Sequence, residues 1–64
     1  MSHLNVEPNI ARPDDFYEAL IALHRDLTPE HSAKVNARLV LLLANHVGDV
    51  DVLEEAMKAA GADD

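Results

Sequence analysis

Cysteine is absent from this 64-residue chain. Disulfides and thiolate metal sites are therefore excluded, and a reducing compartment is the setting such a composition suits. Aromatic side chains are almost missing: Phe16 and Tyr17 are the whole supply. Glycine occurs only at Gly48 and Gly61, so there is no glycine-rich loop to cradle a phosphate. Basic residues are scarce. Arg12, Arg25, Lys34, Arg38 and Lys58 are scattered among twelve acids, and the formal net charge is -7. Nucleic-acid binders draw most of their affinity from cationic contacts with phosphates. This chain is expected to contact neither nucleic acid nor an anionic membrane. Long apolar runs are missing as well. The longest, Leu39 to Ala44, is far too short to span a bilayer. The opening from Met1 to Pro8 lacks the basic start and apolar stretch of a secretory leader. The expected location is the cytoplasm.

What is present is a helical pattern on a very short chain. A single small core rarely supplies more than about 3–5 kcal/mol, so small proteins need a staple. With disulfides excluded, a partner chain is the expected one. Apolar residues make up 48% of the sequence, enough to fold rather than remain disordered.

Residues 1–12 read as an extended N-terminal arm, because Pro8 and Pro13 bias their neighbours away from helix. Leu4, Val6 and Ile10 are its apolar side chains. Residues 13–61 read as a compact three-helix domain, and residues 62–64 as a mobile tail. The first helix is expected over Asp14 to Leu27, with Asp15 and Glu18 as a capping box. Phe16, Leu20, Leu23 and Leu27 recur on one face, with Tyr17, Ile21 and His24 beside them. Thr28-Pro29 restarts the chain as a second helix, to about Val47, and Gly48 supplies a left-handed stop. Asp49 caps a third helix, Val50 to Ala60, ended by Gly61.

The second helix carries most of the information. Val35, Leu39, Leu42, Leu43 and His46 fall on one face. Ala33, Ala37, Val40, Ala44 and Val47 make a flatter face beside it, and Leu41 projects further round. An ordinary surface helix has a narrower apolar stripe. Two short flanking helices either cover this breadth, as in a simple bundle, or leave a docking face. The small alanines favour close approach of another chain. The expected interface residues are Leu4, Ile10, Ala37, Val40, Leu41, Ala44 and Val47. Asn36 lies within the apolar arc and reads either as a rim residue or as a specificity device.

Chemistry is thinly represented. The serines, Ser2 and Ser32, form no nucleophile constellation by spacing. No catalytic residue and no resident cofactor are assigned. The histidines His24 and His46, with Tyr17, would come within reach of one another if the first two helices ran antiparallel. That leaves a weak metal or cofactor reading beside the plainer one of structural histidines.

The runs Pro8-Asn9-Ile10, Asp14 to Leu20 and Leu39 to Asp49 resemble a family of short bacterial proteins classed as a domain of unknown function. The resemblance covers nearly the whole chain. It implies a small companion of flavin-dependent oxygenases and other enzymes of aromatic breakdown, and it brings no site residues with it. Together, these readings give an all-α, three-helix domain with an extended arm. Its expected role is non-catalytic protein interaction, as a homo-oligomer or as an accessory subunit of a larger enzyme, an oxidoreductase included. The alternative is a small metal- or cofactor-binding protein.

Overall fold

Each helix begins where the local chemistry allows a start. A computed structural model describes residues 3–62. Its helices are α1 (Pro13–His24), α2 (Pro29–Val47) and α3 (Val50–Gly61). Among the described residues there is no strand. The all-α class and the helix count are as the sequence implied.

α1 opens on Pro13, whose fixed φ suits the first helical position. The capping box expected at Asp15 and Glu18 does not form. The helix starts one residue earlier than expected, which places Asp15 inside its first turn, and Arg12 occupies the cap position with no side-chain cap bond. Asp15 instead faces the Arg12 guanidinium at 3.7 Å, an exposed pair that adds little stability. α1 also ends earlier than expected, at His24 instead of Leu27. Arg25 is extended, Asp26 adopts φ 67, and the Leu27 amide donates to the His24 carbonyl. This is the pattern of a type II turn, which needs a positive φ at its third residue. Asp is one of the few residues other than Gly that enter that region readily.

α2 starts as its sequence signal implied. Thr28 Oγ1 accepts from the His31 amide, and Pro29 takes the first helical position. Its end is Gly48 at φ 74, whose amide donates to Ala44 O at 2.9 Å. α3 is capped by Asp49, whose Oδ1 accepts from the amides of Asp51 (3.0 Å) and Val52 (3.2 Å). Gly61 is still helical, and Ala62 is the residue that turns away.

The compactness expected of the domain is not found. No described residue is buried. The Cα radius of gyration is 13.5 Å, where a compact chain of this length has about 10.7 Å. The accessible surface is 5886 Å², where a compact monomer of this mass exposes about 4,000 Å². No two helices pack along their lengths. The reason is reach. α2 has 19 residues and runs about 28 Å, while α1 and α3 have 12 each and run about 18 Å. The half-buried residues fall in two groups. Leu20, His24 and Leu27 go with Ser32, Val35 and Leu39 at the start of α2; Val52, Leu53 and Ala56 go with Ala44 near its end. The flanking helices thus lean on opposite halves and opposite faces of α2.

The arm begins beside α3, where His3 Nδ1 lies 3.6 Å from Glu55 Oε2 and Leu4 is half-buried. Further along, Ile10 lines a hollow against Arg12, Asp15, Phe16 and Ala19. Of the tail expected to be mobile, Asp63 and Asp64 lie outside the described residues.

The caps make a direct prediction. Asp49→Ala leaves two helix amides without their side-chain acceptor and lowers stability by about 1–2 kcal/mol, and Thr28→Ala by about 1 kcal/mol. Urea denaturation followed by circular dichroism, at one fixed protein concentration, measures both.

Candidate functional site

α2 turns back into α3 through Gly48 and Asp49 alone. So tight a link brings the C-terminal half of α2 opposite α3. Between them lies a groove of about 550 Å³. Val40, Leu41, Leu43, Ala44 and Val47 line it from α2, and Leu53, Ala56, Met57 and Ala60 from α3. No lining residue carries a charged or hydrogen-bonding side chain. The alanines are half-buried or small, while Leu41 is 70% and Met57 65% exposed. Large apolar side chains therefore stand over a shallow floor, in a form that water solvates poorly.

Of the residues expected at an interface, Val40, Leu41, Ala44 and Val47 all lie in this groove. Ala37 lies one turn before it on α2. The arm does not join them. Leu4 lies next in sequence to His3, which meets α3 at Glu55, and Ile10 lines the hollow beside α1. Sequence reasoning missed the α3 wall, although its signal was visible. Leu53, Ala56, Met57 and Ala60 share one side of an amphipathic helix. Leu42, expected on the packed face of α2, is 69% exposed. Asn36 is exposed and does not line the groove.

The histidines are arranged otherwise than the metal reading requires. His24, in the last turn of α1, meets Ser32 in the first turns of α2 through Nδ1 and the Ser32 hydroxyl. His46 lies fourteen residues beyond Ser32 on the same helix, about 21 Å along its axis. The two imidazoles do not share a site. Tyr17 is exposed, and no group of three or more His, Asp or Glu among the described residues is placed to hold a metal ion. The Ser32 partner of His24 was not legible by spacing, since one residue on each of two helices leaves no periodic trace. A serine beside an imidazole invites a nucleophile reading. His24 ends α1 and Ser32 lies in the first turns of α2, so the pair also joins the two helices. The contact acts as a tie between α1 and α2.

Comparison with known proteins bears on the whole of this arrangement. A model of the family DUF2783, described as a protein of unknown function, matches residues 4–62. The chain belongs to DUF2783. No curated protein and no solved structure matches it. In this DUF2783 chain the groove and the His24–Ser32 tie both fall inside the matched segment, as does the start of the arm at Leu4. Among the described residues of the DUF2783 chain, no helix is long and apolar enough to cross a membrane.

The tie yields a local prediction. Ser32→Ala removes the partner of His24 and weakens the seating of α1 by about 1 kcal/mol. Hydrogen exchange of the α1 amides should speed up several-fold, while exchange at α3 stays as it was.

Proposed function

We propose that this chain is a non-catalytic protein-interaction module whose α2–α3 groove receives an apolar face of another protein chain. The observation that carries this reading is the absence of any buried residue among those described, beside a groove lined wholly by apolar side chains. Three separated helices have no source of stability equal to their conformational entropy. Burial of groove side chains such as Leu41, Leu43 and Met57 is worth about 1.5–3 kcal/mol each. A partner on the groove supplies that burial. The formal net charge of -7 directs the choice of partner toward protein and away from phosphate-rich surfaces.

Two kinds of partner fit this role, another copy of the chain and a larger enzyme that carries it as a small accessory subunit. The resemblance of the sequence to companions of oxygenases gives the second kind its chemistry. The chain itself then contributes no catalytic group. A reducing cytoplasm is the location proposed with it.

Val40→Glu combined with Leu41→Glu tests the reading. Both side chains are already exposed, so the change leaves the contacts within the chain in place. Two carboxylates carried into an apolar interface should weaken the complex at least 100-fold, about 3 kcal/mol. Size-exclusion chromatography of the untagged protein, recovered gently from its own cell extract, reads the result. A complex that persists with its helix content intact rules the groove out.

A further inference from the structure

The groove between α2 and α3 holds no charged side chain, on a chain whose formal net charge is -7. Chains that share such a charge repel one another, so they can meet only where charge is kept out of the contact. The α3 acids Asp51, Glu54 and Glu55 lie on the side of that helix away from Leu53, Ala56 and Ala60. A partner chosen for opposite charge would need acids within its contact surface, and this groove offers none. Its lining combines small side chains with large ones. Ala44, Ala56 and Ala60 form a floor of small residues, and Leu41 and Met57 stand above it. One patch thus carries both projection and recess, as a two-fold, isologous contact requires.

Area gives the third argument. The chain exposes 5886 Å², roughly 1,900 Å² more than a compact protein of its mass. All three helices contribute to that excess, α1 through Phe16 and Tyr17, α2 through Leu41 and Leu42, and α3 through Met57. An obligate homodimer buries about 2,000 Å² or more in total, so a contact that takes roughly 1,000 Å² from each copy lies within the surface this chain has in excess. A protomer with no core of its own is what such dimers contain, since their folding and association are one event.

We propose that a second copy of this chain seats its α2 in the groove about a two-fold axis, with the Leu41 of each copy over the alanine floor of the other. This rests on the interaction reading above and names its partner. The two copies together enclose the core that each one lacks.

The test is sedimentation equilibrium of the untagged protein purified alone, with circular dichroism at each concentration. The expected species is a dimer, at twice 7.0 kDa, whose helix signal falls as it dissociates. Leu41→Gln keeps a good helix former at an exposed site and should weaken self-association at least tenfold. Lys34→Gln, on the polar strip of α2, should leave it unchanged. Equal effects of the two variants would overturn the groove assignment. A well-folded monomer at every concentration would overturn both this inference and the interaction reading. A poorly folded monomer that gains its structure from a different purified polypeptide would overturn the second copy while leaving the interaction reading in place.

Discussion

The rest of the structure depends on a mismatch of length and breadth. α2 is a 19-residue helix with apolar side chains around most of its circumference, flanked by two helices of 12 residues. α1 covers one face at the start of α2, and α3 leans toward another face near its end. Neither reaches the middle of the helix on both sides. Leu41 and Leu42 are adjacent in sequence and point to different faces, yet both remain largely exposed. Lengthening either flanking helix would close the surface. At the present lengths the apolar side chains of α2 stay in contact with water, which the hydrophobic effect disfavours.

Local interactions hold this open arrangement in shape. The Thr28 and Asp49 side chains satisfy helix amides that would otherwise lack partners. Asp26 and Gly48 supply the left-handed residues that turn the chain between helices. A Cβ at Gly48 would meet Asn45 O at 3.8 Å, an ordinary van der Waals contact. Its requirement is thus for backbone conformation rather than room, and an alanine there is strained by about 1–2 kcal/mol. The His24–Ser32 contact fixes α1 against α2 at one point. These short-range devices set the directions of the helices without enclosing a core.

Much of this was legible in the residues. Thr28-Pro29 and Gly48-Asp49 are start and stop signals with a single reading, and the boundaries of α2 followed from them. The end of α1 was not legible, because nothing about Asp26 marks it as the residue that adopts a positive φ. The Asp15–Glu18 box failed because the helix starts at Pro13, which places Asp15 inside the first turn instead of at the cap. Periodicity identified Val40, Leu41, Ala44 and Val47 as a second apolar face, and these residues do line the groove. It did not identify Leu53, Ala56, Met57 and Ala60 as the facing wall, because an amphipathic stripe looks the same whether it faces a core or a gap. The compact packing expected of the three helices failed for the same reason. A sequence pattern tells which side of a helix is apolar, not how far a neighbour extends over it. The association of Leu4 and Ile10 with the groove had no periodicity behind it, and the arm lies elsewhere.

The account stands on one central claim, that folding is completed by association. Thermal unfolding followed by circular dichroism over a roughly hundredfold range of protein concentration tests it most directly. If association completes the core, the midpoint rises steadily with concentration. A cooperative transition whose midpoint stays the same across that range would contradict it, since the isolated chain would then be stable without a partner.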